Sequence, residues 1–229
     1  MKQLLLDLHP DAPPTLDNFI PGENAQLLDA LRSTILGAGH LYLWGPGGSG
    51  RSHLLAATVD AAAQAGRPAT HLPAAAAGQQ LPETPGLLLA MDDVDRLDET
   101  GQIALFNAFN RSAGLHQTLL LAGARPPREL ALREDLRTRI GQCLGFELRP
   151  LDDATRAAIL ATLAERRSMQ LPEEVVQFLL RHGSRDLASL VATVNALDAA
   201  SLELKRPITL PLLREIAQPA FDNLNAKEN

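Results

Sequence analysis

Cysteine is almost missing from this chain of 229 residues. Cys143 stands alone, which excludes an internal disulfide and suits a reducing compartment. With no second thiol beside it, Cys143 reads as a small buried apolar group rather than a reactive one. Aromatic residues are scarce at 3%, so the 45% apolar content is mostly aliphatic and ample for a buried core. Basic excess is missing too: the formal net charge is −6 and the pI about 5.5, so nothing advertises a nucleic-acid surface. There is no charged-then-apolar leader and no apolar run of transmembrane length. The expectation is a cytoplasmic protein with no membrane partner. The length allows one large domain, or a domain with a small lid.

What is present is organised around Leu41 to Leu55. The apolar run Leu41-Tyr42-Leu43-Trp44 enters a turn built from Gly45, Pro46, Gly47, Gly48, Ser49 and Gly50. Its exit, Arg51-Ser52-His53-Leu54-Leu55, reads as the first turn of a helix. Strand, glycine loop and helix in this order form a P-loop, with Arg51 where lysine is usual. Such glycines let successive backbone N–H groups curl round phosphate oxygens, and the helix N-terminus adds partial positive charge. Ser52 is placed to hold Mg²⁺. An ordinary glycine-rich turn is the alternative.

Ahead of that loop, the leader MKQLLLDL is followed by prolines at 10, 13 and 14, which keep it extended. Its leucines either strap onto the protein's own surface or dock into a partner. A helix is expected from about Asn24 to Leu36, with Leu27, Leu28, Leu31 and Ile35 on one face. Beyond the loop helix, strands are expected at 69–72, 86–91, 118–122 and 145–148, with an Ala/Gln-rich loop at 73–80 and a helix at 99–113. Continuous apolar runs such as Leu87 to Met91 suit strands buried on both faces of a parallel sheet. After Leu151 only helical patterns remain, at about 152–167, 173–181, 185–204 and 209–217. The expected fold is therefore α/β: a parallel five-stranded sheet flanked by helices, followed by a small all-α lid. Its predicted parts are an extended peptide and linker at 1–13, a nucleotide-binding module at 14–150 and the lid at 151–229.

Asp92 ends an apolar strand, where a carboxylate reaches a P-loop Mg²⁺ through water. Asp93 follows it, where a catalytic carboxylate would orient or activate water. Two acids capping a strand end are the plainer possibility. Arg125 follows the fourth strand, Arg139 lies before the fifth, and Arg185 opens the third lid helix. Each alone could be a solvated surface arginine.

In sequence order these features resemble a known family. The P-loop, the Asp-Asp strand, Arg125-Pro126-Pro127, Thr138-Arg139-Ile140 and Ser184-Arg185-Asp186-Leu187 are similar to AAA+ ATPases of the DnaA group. Thr15-Leu16-Asp17-Asn18-Phe19 and Pro21-Gly22-Glu23-Asn24 resemble the start of that module. The peptide Gln3-Leu4-Leu5-Leu6-Asp7-Leu8 resembles the sliding-clamp-binding leader of the Hda family, regulatory inactivators of the initiator DnaA.

The resemblance implies that Gly45, Pro46, Gly47, Gly48, Ser49, Gly50, Arg51, Ser52 and His53 bind the phosphates of ADP or ATP. It makes Asp92 the Walker B ligand of Mg²⁺ together with Ser52, and Arg185 the lid sensor arginine. Arg139 would be an arginine finger acting in trans on nucleotide held by DnaA. Gln3, Leu4, Leu6 and Leu8 would contact the DNA polymerase III beta sliding clamp. A nucleotide-dependent homo-oligomer is compatible with this. Because the chain ends at Asn229, shortly after the lid, sequence-specific DNA recognition is not expected.

Three departures bear on catalysis. Arg51 spreads its charge over a planar fork, Asp93 is one methylene shorter than glutamate, and Ala122 and Ala124 put no polar side chain at the end of the fourth strand. The expectation is nucleotide binding with little intrinsic hydrolysis. The competing expectations are an autonomous ATPase that loads a helicase or transposase, and a pure adaptor in which nucleotide only stabilises the fold.

Overall fold

The computed structural model describes residues 14–17, 19–37, 39–78, 80–183 and 187–216. Its centre is a parallel sheet in the order β2-β3-β4-β1-β5. The strands are β1 (Leu41–Trp44), β2 (Ala69–Pro73), β3 (Leu88–Asp92), β4 (Thr118–Gly123) and β5 (Leu144–Glu147). Every residue of β3 and β4 is buried, as their unbroken apolar sequences require of central strands. Register follows the apolar pattern: Leu41 lies opposite Leu120 on one side and Leu144 on the other, and Ala90 also lies opposite Leu120.

Alternate residues feed two separate cores. Tyr42, Leu89, Met91, Leu119 and Leu121 pack on one face against Leu105, Ala108 and Phe109 of α3 (Glu99–Leu115) and Leu136 and Ile140 of α4 (Glu134–Gly141). Leu41, Leu43, Ala90, Leu120 and Ala122 pack on the other. There they meet Leu27, Leu28 and Leu31 of α1 (Ala25–Ile35) and Leu54 and Leu55 of α2 (Arg51–Gln64). This period-two division is what a strand buried on both faces produces. Each fully buried leucine contributes roughly 1.5–3 kcal/mol through burial.

Local signals set the helix ends. Asp98 accepts from the Gly101 N–H at 2.7 Å and caps α3. His116, left-handed at φ 53°, stops the same helix. Residues 74–76 form a short 3-10 turn within the Ala/Gln-rich loop, and Ala74, Ala77 and Leu81 are buried.

Up to Pro150 the described residues form one compact unit, and from Leu151 a second. The second holds α5 (Asp153–Arg166), α6 (Glu173–His182), α7 (Leu187–Leu204) and α8 (residues 210–216). Asp152 caps α5 by accepting from the Thr155 N–H at 2.7 Å. Leu160, Val175, Val176, Leu179, Leu190, Val194, Leu197, Leu212 and Leu213 make this unit's own core. Among the described residues no helix is long and apolar enough to cross a membrane.

Most element ends differ from expectation by a residue or two, and three differences bear on the site. β3 begins two residues later than expected and extends through Asp92, the acid expected to end it. β5 is shifted by one residue, because its first two residues are exposed at the sheet edge and present no alternation to read. The helix α4, with Arg139 in its last turn, was not anticipated at all.

Candidate functional site

β1 delivers the chain into the glycine loop between two neighbours. The Gly45 N–H donates to the Gly123 carbonyl at 3.4 Å, and a Cβ on Gly45 would lie 2.5 Å from the Leu148 carbonyl oxygen. Only glycine fits between the β4 and β5 ends. At the other end of the loop Gly50 has φ +99°, and a Cβ there would meet Phe19 at 2.8 Å. The crest, Pro46 to Gly48, is exposed.

No side chain caps the N-terminus of α2, and its first turn holds no acid. The first amides of this 14-residue helix therefore keep their partial positive charge available for an anion. Ser49 Oγ and Arg51 Nη1 are buried and find no hydrogen-bond partner among the described residues. Unpartnered buried donors beside uncapped amides, in a loop only glycine can form, fit a phosphate chain.

Ser52 Oγ donates to Asp92 Oδ2 at 2.5 Å, and the Asp93 N–H donates to Asp92 Oδ1 at 2.9 Å. Asp92 is 9% exposed. The first turn of α2 and the last residue of β3 thus place a hydroxyl and a carboxylate together. Hard oxygen donors of this kind suit Mg²⁺.

Asp93 is a left-handed residue, φ 52° and ψ 43°, a conformation aspartate tolerates better than most. Its Oδ1 pairs with Arg51 Nη2 at 3.3 Å, and its Oδ2 faces Arg96 Nη1 at 3.6 Å. The P-loop cation and the second acid of the Asp-Asp pair are therefore bonded to each other.

His53 has its imidazole turned away from the crest. Its Nε2 lies 3.1 Å from the Thr15 carbonyl, and its ring is 5.7 Å from that of Phe19. Thr15 and Phe19 thus lie against the first turn of α2.

Sequence reasoning missed the brace behind the loop. Tyr42 Oη donates to the Arg125 carbonyl at 2.6 Å, and Asp95 Oδ1 accepts from the Ala124 N–H at 3.0 Å. Burial first, then the charge of Asp95, pushes the Tyr42 hydroxyl well above its ordinary pKa, so it stays a donor. Asp95, the last acid of Asp92-Asp93-Val94-Asp95, was the available signal. Asn24 is a second omission: its amide exchanges hydrogen bonds with the Arg149 backbone at 2.9 and 3.0 Å, beside a Glu23–Arg149 pair at 2.6 Å.

Arg139 is exposed on α4 and belongs to a different surface element from the loop. Its Nη2 donates to Asn110 Oδ1 at 3.1 Å, and its guanidinium carbon lies 6.0 Å from the centre of the Phe106 ring. Arg125 is exposed, with its carbonyl serving Tyr42. A polar cleft of about 460 Å³ lined by Gln80, Glu83, Ala104, Asn107 and Arg111 contains none of the predicted site residues. Gln3, Leu4, Leu6, Leu8 and Arg185 lie outside the described residues.

The fold and its loop define an AAA+ P-loop module followed by a helical lid. Residues 153–217 match the family model for the Hda lid domain. Domain III of the replication initiation protein DnaA from Thermotoga maritima is similar with TM-score 0.73 and 21% identity, over 91% of this chain and 97% of that one. AMPPCP-bound DnaA from Aquifex aeolicus is similar with TM-score 0.68 and 23% identity, over 84% of this chain and 67% of that one. A Thermotoga maritima RuvB mutant gives TM-score 0.66 at 16% identity, over 90% and 72%. At such identities the structural likeness shows the fold. The lid match is to residues 153–217, and the likeness to DnaA-type AAA+ modules is one of fold.

Proposed function

We propose that this chain is a negative regulator of chromosomal replication initiation. It binds ADP or ATP at Gly45 to Ser52, with Ser52 and Asp92 available to Mg²⁺ and Arg185 as the lid sensor arginine. It is tethered to the sliding clamp through Gln3, Leu4, Leu6 and Leu8, and it presents Arg139 to the ATP of DnaA. The DnaA-like fold and the Hda-type lid support a role in replication initiation.

The observation that carries the finer reading is the mounting of Arg139. An exposed guanidinium held by Asn110 and Phe106 of the neighbouring helix is oriented before any partner arrives. A preoriented cation can stabilise charge developing in a neighbour's site, and arginine fingers in trans contribute about 10³–10⁵-fold in rate. The chain's own hydrolysis is expected to be slow, because both oxygens of Asp93 are engaged by guanidinium groups. Nucleotide in the loop would supply phosphate charge that orders the crest. Tethering to a clamp raises the local concentration of the two AAA+ partners without new contacts between them.

The test is ATP hydrolysis by DnaA with clamp-loaded DNA, with and without this protein. Stimulation should disappear when Gln3, Leu6 and Leu8 are replaced by alanine, and return when the variant is fused to the clamp. Stimulation indifferent to those replacements would remove the tether. Strong DNA-stimulated hydrolysis by this chain alone would replace the regulator with a loader.

A further inference from the structure

We infer that Asp93 is the internal counter-ion of the phosphate loop, so that an incoming phosphate competes with it for the charge of Arg51. This rests on the reading of residues 45–52 as a nucleotide site. Asp93 then sets how tightly, and with how long a phosphate chain, that site is filled.

The geometry runs through three residues. The Arg51 side chain is only 13% exposed, and its Nη2 has Asp93 Oδ1 at 3.3 Å. Its Nη1 is buried with no hydrogen-bond partner among the described residues. A largely desolvated guanidinium therefore leans on one carboxylate, and that carboxylate is 35% exposed. Arg96 also faces Asp93, at 3.6 Å, but is 76% exposed, so solvent screens that contact far more. The left-handed backbone at Asp93, directly after β3, is the kind of local outlier that surrounding structure must hold in place. What holds it here is the Asp93 N–H on Asp92 and the Asp93 carboxylate on Arg51.

Anionic phosphate and the Asp93 carboxylate draw on the same guanidinium, with Nη1 open to phosphate and Nη2 held by Asp93. A phosphate oxygen on Nη1 shares the Arg51 charge with Asp93 and adds negative charge beside the carboxylate. The opposition grows with each phosphate that approaches the carboxylate, so a triphosphate meets more of it than a diphosphate. Asn at this position keeps the size and the tolerance of left-handed backbone while removing the charge.

The experiment is a fluorescence titration of the full chain with N-methylanthraniloyl ADP and ATP, in EDTA, where no Mg²⁺ contributes. Asp93→Asn should tighten ADP by about tenfold and ATP by a larger factor, as expected when one coupled charge is removed. Asp93→Glu, which restores the charge, should return affinities to within a few-fold of the original. Asp93→Ser carries the same expectation as Asn, and melting without nucleotide reports that each variant is folded. Equal or weaker binding by both neutral variants in EDTA would overturn the inference while leaving the nucleotide site standing. Loss of affinity by those variants only when Mg²⁺ is added would assign Asp93 to the cation instead. No binding of either nucleotide by the original chain or any variant would remove the site reading, and this inference with it.

Discussion

Arg139 donates to Asn110 across 3.1 Å, joining the last turn of α4 to the middle of α3. Both residues are exposed, so the bond contributes little to folding, and its consequence is orientation. Asn110→Ala should therefore lower stimulation of DnaA hydrolysis by about tenfold through a misplaced guanidinium. Its melting temperature should stay close to that of the parent. Stimulation unchanged in this variant would show that the finger needs no brace.

Arg67 serves the fold rather than the site. Its guanidinium donates to the Thr34 carbonyl at 2.6 Å, Gly86 carbonyl at 2.8 Å and Thr118 Oγ1 at 2.7 Å, with Ile35 at 3.3 Å. Thr34 and Ile35 end α1, so a cation caps its C-terminal carbonyls while tying it to the starts of β3 and β4. Arg67→Met should lower unfolding free energy by about 2–4 kcal/mol in urea titrations, as hydrogen bonds to charged groups are lost. A change below about 0.5 kcal/mol would mean water replaces these bonds at no cost.

His40 makes stability depend on pH. Its Nδ1 accepts from the Leu119 N–H at 3.1 Å, Ser112 Oγ lies 3.2 Å from Nε2, and Phe109 meets the ring edge-on. Burial holds its pKa below the ordinary 6.5. The unfolded chain thus takes up a proton at a higher pH than the folded one. The contribution is intact above about pH 6.5, declines as pH falls below it, and levels off beneath the folded pKa. Urea unfolding at pH 7.5 and 5.5 should show a larger loss for the parent than for His40→Gln. Equal losses would contradict this.

Burial pushes the Cys143 thiol up to about 12, so almost no thiolate exists at neutral pH. Iodoacetamide at pH 8 should label the folded chain far more slowly than the chain in urea. Comparable rates would show the thiol is accessible as thiolate.

Much of this architecture could be read from the sequence, for reasons visible in individual residues. The runs at Leu88–Met91 and Thr118–Ala122 are buried on both faces, so their apolar continuity marked them as central strands. Gly45 and Gly50 sit where a side chain would strike Leu148 or Phe19, so the glycine spacing carried the loop. The helix α4 escaped because only Leu136 and Ile140 of its eight residues are buried, too few to establish a period. The Arg51–Asp93 pair joins residues 42 positions apart, and no local pattern reports it. Tyr42 and Arg125, 83 positions apart, were hidden for the same reason.

The most direct measurement follows ATP bound to DnaA through a single turnover, with clamp-loaded DNA, in the presence of this chain or its Arg139→Ala variant. The account predicts that stimulation falls by about 10³-fold or more in the variant while clamp binding and melting temperature are unchanged. Equal stimulation by the two proteins would contradict it, and would leave the chain as an adaptor whose exposed arginine has no part in hydrolysis.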